Sequence, residues 1–421
     1  MSKIIFHIDV NSAFLSWSAL KNLAAGSKID LRDIPSIIGG DQTRRHGVVL
    51  AKSVPAKKYG VVTGEPIVNA VRKCPTLTLE PPDHELYDYY SKEMMNLTLE
   101  YTPDIEKISV DECFLDFTPI AHLYPSALAF AQQLGFQIKE ALGFTVNIGI
   151  APNKLLAKMA SDFQKPDRIH TLFENEIPTK MWPLPVGELY GVGKASSARL
   201  IELGINTIGE LAQADQDFLI SHFKSQGKYM WAAANGFDDS PVDNTKREVK
   251  GVGNSTTLST DVTDTTEAKK VLLKLAESVS RRLRQKSQLA NSITVEIKYS
   301  NFTTTTHQTT LATSTNTTDA LYKCACELFE ESWNGHPVRL LGIRTSKLEA
   351  SDTPVQLSLF SGDSKTDTNP LSASSNAASV ASSVNNEAKQ QKLDAALDTI
   401  RQKHGSSAIV RGSLLKKDKS K

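Results

Sequence analysis

The run Lys3–Val10 (KIIFHIDV) constrains this chain most, because it is apolar and β-branched almost throughout yet carries Asp9 near its end. Such a run reads as a buried strand. An unpaired carboxylate inside a buried strand is costly, so Asp9 is the first residue to need a functional explanation. Residues 105–117 (IEKISVDECFLDF) predict two strands meeting near Asp111, and residues 145–151 (TVNIGIA) predict another. Between them, Ala127–Ala141 places Leu128, Ala131, Leu134 and Ile138 at helical spacing. After Pro152, Leu155, Leu156, Met159 and Phe163 share one face of a second helix. Strands interleaved with helices predict a small α/β sheet domain.

The rest of the 421 residues is too long for one domain. Around 185–236, the stretch LYGVGKASSARLIELGI places a Gly-Val-Gly turn between two helical stretches. Residues 247–348 hold Ser/Thr-rich alternating strands around a basic helix (KKVLLKLAESVSRRLRQK). Ser361–Asn386 turns to Ser, Asn, Thr and Ala, a composition that predicts a flexible linker. A short amphipathic helix is expected next, with Leu393, Ala396, Leu397 and Ile400 on one side and Gly405 ending it. The net charge of +1 argues weakly against nucleic-acid binding, but distribution matters more. Lys246–Lys298 carries 11 Lys and Arg against 6 Asp and Glu. Four cysteines at 74, 113, 324 and 326 form no CxxC pair and read as reduced thiols. No run approaches the ~18 apolar residues of a membrane span, and the first residues lack a signal-peptide layout. A cytoplasmic protein without membrane contact is expected.

Asp111 and Glu112 adjoin at the strand junction. Hard cations such as Mg²⁺ prefer carboxylate oxygens completed by substrate phosphates. Two such ions can hold both the attacking and the leaving oxygen of a phosphoryl transfer, given carboxylates converging from neighbouring strands. An Asp-Glu pair is more commonly just solvated, so the residues alone leave a metal site and a surface pair both open. Gly39-Gly40-Asp41 invites a nucleotide-cyclase reading. However, Gln42 and Thr43 follow where that family has an acidic residue and Phe, so a turn between two strands is expected.

The stretches FHIDVNSAF, KISVDECFLDF and IGIAPNKLLAKMASDFQKP together resemble the three palm signatures of Y-family DNA polymerases, most closely the bacterial DNA polymerase IV branch. The resemblance runs in order from Lys3 to about Leu348. It implies an α/β multidomain fold: a ferredoxin-like palm (1–10 and 76–170), small fingers (11–75), a helix-hairpin-helix thumb (171–240) and an α/β little finger (245–350). A flexible tail (351–421) would carry a clamp-binding motif at 356–360. The implied activity is lesion-bypass DNA synthesis on primer–template DNA with dNTP, without proofreading. Two Mg²⁺ ions would be held by Asp9, Asp111, Glu112 and the Val10 carbonyl, with Asp116 structural.

Phe14, by ordinary statistics a core aromatic, matches the family's steric gate against ribonucleotides. Lys165 matches the triphosphate lysine. Lys57 stands where the family usually has arginine, Val54 where it has tyrosine and Ala51 where it has threonine, so nucleotide contacts depart from the usual set. Gly191, Gly193 and Lys194 resemble a helix-hairpin-helix phosphate site. Arg281 and Arg284 on the basic helix are expected to grip DNA. Gln356, Leu357, Leu359 and Phe360 resemble the peptide that docks on the replication sliding clamp. A monomer is expected. The competing reading is a catalytically silent clamp-bound adaptor, which would be expected to lose the three carboxylates that this chain keeps.

Overall fold

The N-terminal apolar run forms β1 (Ile5–Val10), with every residue buried. The computed structural model describes residues 3–40, 47–245, 248–351, 373–405 and 408–412, without the side chains of 312 and 373–388. The chain divides into two units, Met1–Lys246 and Arg247–Lys421.

In the first unit, α1 (Ala13–Ala24) leads to a three-stranded sheet of β2 (Ser36–Gly39), β3 (Val49–Lys52) and, after α2 (Val54–Lys58) and α3 (Ile67–Lys73), β4 (Thr78–Glu80). The expected turn after Gly39 falls partly on residues 41–46, outside the described set. Next come α4 (His84–Leu99), β5 (Ile105–Lys107), β6 (Glu112–Asp116), α5 (Ala127–Leu142), β7 (Val146–Ala151), α6 (Lys154–Asp162) and β8 (Ile169–Thr171). The main sheet has the order β5-β6-β1-β7-β8, so β1 is central and antiparallel to both neighbours.

Alternation along β1 decides what each face holds. Phe6, Ile8 and Val10 pack with Phe130, Leu134 and Ile138 of α5, whereas Ile5 packs with Leu155 and Met159 of α6. His7 and Asp9 therefore face α6. Asp116 is structural, as its carboxylate accepts the Thr118 N–H at 2.8 Å. Four short helices follow: α7 (Lys194–Glu202), α8 (Ile208–Gln213), α9 (Gln216–Phe223) and α10 (Ser225–Ala234).

The second unit is an antiparallel sheet of β9 (Gly251–Val262), β10 (Gln288–Tyr299), β11 (Thr304–Thr315) and β12 (Val338–Ala350), in the order β11-β10-β12-β9. Helices α11 (Thr265–Gln285) and α12 (Thr318–Ser332) cover one face around Leu272, Val279, Ile293, Val295 and Phe329. The other face is polar, with Thr294, Glu296, Gln308 and Arg344 bordering a shallow concavity.

The tail departs from expectation. Helix α13 spans Ala373–His404, including residues expected to form a linker. Leu393 and Ile400, expected on the apolar side of an amphipathic helix, are exposed, while Asp394 is buried. Asp394 accepts from the Thr318 N–H at the start of α12 (2.8 Å), from Arg284 (3.2 Å) and from Arg411 (3.1 Å). Asp398 pairs with Arg284 at 2.7 Å, and Glu277 receives Arg401 and Arg411, each at 3.1 Å. The helix is held by ion pairs and a helix N-terminus, not by an apolar stripe. Among the described residues no helix is long and apolar enough to cross a membrane.

Candidate active site

Asp9 enters from β1 and Glu112 from β6, where the two are direct cross-strand partners. Asp111 precedes β6, and its carbonyl accepts the Val10 N–H at 3.0 Å. Ser109 organises this turn. Its Oγ accepts from the N–H groups of Asp111 (3.2 Å) and Glu112 (3.1 Å) and donates to the Asp111 carboxylate.

Helix α6 lies close over the same face because β7 carries Gly149, where a Cβ would sit 2.0 Å from the Ala157 carbonyl oxygen. The helix brings Lys158 to 3.1 Å from Glu112 and 3.7 Å from Asp9, and the following loop brings Lys165 onto Asp9. Both lysines also meet Asp162, at 3.5 and 2.8 Å. Asn147, opposite Asp9 on β7, fixes the loop by donating to the carbonyls of Ser161 (3.0 Å) and Gln164 (2.7 Å).

The two paired acids are pushed in opposite directions. Burial pushes the Asp9 carboxyl above its ordinary value, against the pull of Lys165 and Lys158. A hydrogen bond from His7 draws Glu112 down to about 2, against desolvation and with help from Lys158. Burial opposes the charge on Lys158 and Lys165, yet Asp9 and Asp162 hold both above the ordinary lysine value.

Asp9, Val10, Phe14, Lys57, Asp111 and Lys165 border one cavity of about 400 Å³. The Phe14 ring stacks on the buried Tyr87, with centroids 4.3 Å apart and planes 9° apart, so it stands as a fixed wall. Val54 and Ala51 line the same space, as does Lys52, which the sequence reading passed over. It also passed over Lys158 and His7. A histidine inside an apolar strand, two residues from Asp9 and so on the same face, was the available signal.

Among the described residues no three His, Cys, Asp or Glu side chains form a ready-made metal cage. The donor set still fits a hard cation such as Mg²⁺, which is commonly held by one or two carboxylates plus water and substrate phosphate. Asp9, a carboxylate disfavoured by burial beside other acids, is where added positive charge brings relief.

Farther off, Gly191, Gly193 and Lys194 are exposed at the start of α7. Gly191 has φ +90°, and a Cβ there would lie 2.7 Å from the Tyr229 ring, so this turn requires glycine. Arg281 is half-buried on α11 and borders a cleft with Arg401 and Ile409. Arg284, expected to grip DNA, is instead engaged by Asp394 and Asp398 and largely covered. Gln356, Leu357, Leu359 and Phe360 lie outside the described residues.

Three family models match the chain: the impB/mucB/samB family over 8–162, its helix-hairpin-helix motif over 174–205, and its C-terminal domain over 249–359. The chain is 47% identical over 418 residues to a DNA polymerase IV of Clostridium acetobutylicum, covering 99% of this chain and 100% of that one. It is 38% identical to DNA polymerase IV 1 of Bacillus subtilis, covering 100% of this chain and 95% of that one. A solved Y-family DNA polymerase chimera superposes with a TM-score of 0.72 at 25% identity, covering 82% of this chain and 99% of the chimera.

Proposed function

Because this chain belongs to the impB/mucB/samB family, the Y-family DNA polymerases, we propose that it extends primers at the cluster of Asp9, Asp111 and Glu112. It is a translesion DNA polymerase, and it binds template–primer DNA. The silent-adaptor reading is not favoured. The observation that carries the site assignment is the cavity onto which two carboxylates, an aromatic wall and the lysines Lys57 and Lys165 converge.

In this reading Asp9, Asp111, Glu112 and the Val10 carbonyl hold two Mg²⁺ ions. When bound, such ions supply the charge that stabilises the attacking and leaving oxygens of phosphoryl transfer. Lys165 and Lys57 balance the triphosphate charge, Lys57 as a point charge rather than a fork. Phe14, backed by Tyr87, closes the space that a ribose 2′-hydroxyl needs. The main sheet with α4, α5 and α6 serves as palm, α1 with the three-stranded sheet as fingers, α7–α10 as thumb and β9–β12 with α11 and α12 as little finger.

The exposed turn at Gly191, Gly193 and Lys194 is suited to a DNA phosphate. With Arg284 engaged elsewhere, Arg281 and the polar sheet face around Arg344 are basic positions suited to meet DNA in the second unit. The protein works as a cytoplasmic monomer that docks on the sliding clamp through Gln356, Leu357, Leu359 and Phe360. Replacing Leu359 and Phe360 with Ala is expected to remove clamp-stimulated synthesis and leave basal extension unchanged; retained stimulation counts against the docking peptide.

Primer extension with Mg²⁺ tests the site. Asp9→Ala is expected to slow dNMP addition about a hundredfold or more. Phe14→Ala is expected to admit ribonucleotides while largely sparing dNMP addition. Near wild-type extension by Asp9→Ala, or an unchanged sugar preference in Phe14→Ala, overturns the corresponding role.

A further inference from the structure

His7 stands two residues before Asp9 on β1 and is fully buried. Its Nε2 lies 3.1 Å from Glu112 Oε2, and its Nδ1 lies 2.7 Å from Ser161 Oγ on α6. Lys158 Nζ reaches the same Glu112 oxygen at 3.1 Å. Both contacts fall on Oε2, while the Glu112 side chain as a whole stays 26% exposed. We propose that His7, backed by Ser161, is a positioning residue that fixes the Glu112 carboxylate with Oε1 presented to the metal. The proposal rests on the reading of Glu112 as a metal ligand.

The hydrogen-bond inventory sets the arrangement. An ionised carboxylate only accepts, so His7 must donate from Nε2. The neutral ring then offers Nδ1 as an acceptor, and the Ser161 hydroxyl is the group placed to satisfy it. That hydroxyl also lies 2.8 Å from the Lys158 carbonyl, one turn back on its own helix, and its single proton goes either to Nδ1 or to that carbonyl. Ser161 reaches His7 only because α6 lies so close to the sheet. Gly149, whose missing Cβ permits that approach, is the cross-strand partner of His7. Asn147 holds the Ser161 carbonyl from the same strand. β1 thus supplies one carboxylate and the support of the other, and β7 with α6 supplies the support of that support. Removing groups that orient metal ligands in this way commonly weakens metal affinity about 10–100-fold.

The test uses the full chain on primer–template DNA with a dideoxy-terminated primer and the matching dNTP, so that no turnover occurs. Bound Mn²⁺ is counted by electron paramagnetic resonance. His7→Leu keeps an apolar filling but removes the donor, and is expected to weaken Mn²⁺ binding about 10–100-fold. His7→Gln, which retains an N–H donor, is expected to recover part of that loss, and Ser161→Ala to weaken binding by a smaller factor. In extension assays the Mg²⁺ requirement should rise while KM for dNTP stays near wild type. A merely structural histidine would lower stability without moving the metal dependence.

The proposal is overturned if folded His7→Leu and Ser161→Ala both bind Mn²⁺ within about twofold of wild type while Glu112→Gln binds it weakly. Should Glu112→Gln also bind normally, the ligand reading of Glu112 itself fails. If His7→Leu does not fold, His7→Phe, which also lacks the donor, carries the test beside Ser161→Ala.

Discussion

Two clusters of buried acids in this protein are built from the same kinds of charge and behave differently. In the first unit, Asp9 and Glu112 are met by Lys158 and Lys165, and Asp9 and Lys165 border an open cavity. In the second, Asp394, Asp398 and Glu277 are met by Arg284, Arg401 and Arg411. Lysine is a point charge on a flexible stem, whereas arginine presents a planar fork with several donors. Arg284 binds two acids at once, as does Arg411. A lysine can yield its acid to an incoming cation and keep another partner, here Asp162. Losing Arg284 would take the arginine from Asp398 and one of two from Asp394, and losing Arg411 would take one of two from both Asp394 and Glu277. Lysine-held acids next to a cavity suit a site that takes up a cation, and arginine-held acids at a helix interface suit a clasp.

The largest effect expected from breaking this contrast is in the clasp. Asp394→Ala removes the acceptor shared by Arg284, Arg411 and the Thr318 N–H, and should destabilise the second unit by about 3–5 kcal/mol. Urea unfolding reads this, and room-temperature primer extension should remain. A loss under about 1 kcal/mol would mean that the helix is not held by its charges.

Next in size, Lys158→Arg would give the working site a partner of the clasp type. Extension is expected to slow about tenfold, roughly 1.4 kcal/mol, while the melting temperature holds or rises. Unchanged extension would show that the type of cation does not matter there.

The smallest effect separates two neighbouring arginines. Arg281→Ala should flatten the slope of log DNA affinity against log salt by about 0.9 if it contacts a phosphate, while Arg284→Ala should leave the slope as it is and lower stability. Equal flattening by both would contradict the assignment of Arg284 to the clasp.

The working site was readable to the extent that its signals were local. Asp9 stood out as a carboxylate in an apolar strand, and Asp111, Glu112, Phe14 and Lys165 fell on recognisable stretches. His7, Ser161 and Lys158 were missed because their roles depend on α6 lying against β1, a tertiary contact between residues 154 positions apart. The strands of the main sheet matched the alternation and runs of the sequence, because both faces of that sheet are filled by apolar side chains. The tail did not. Its Leu393 and Ile400 mimic a docking stripe, but the inward face is Asp394, Asp398 and Arg401, whose partners Arg284 and Glu277 lie more than a hundred residues upstream. Hydrophobic periodicity carries no information about an interface made of charges.

The claim that the lysine-held carboxylates run the chemistry is tested most directly with Glu112→Gln. Single-turnover addition of one dNMP with Mg²⁺ would be measured beside thermal unfolding of the same preparation. The account predicts a rate lower by about a hundredfold or more with a melting temperature within a few degrees of wild type. A near wild-type rate, or a loss of rate matched by unfolding, would contradict it.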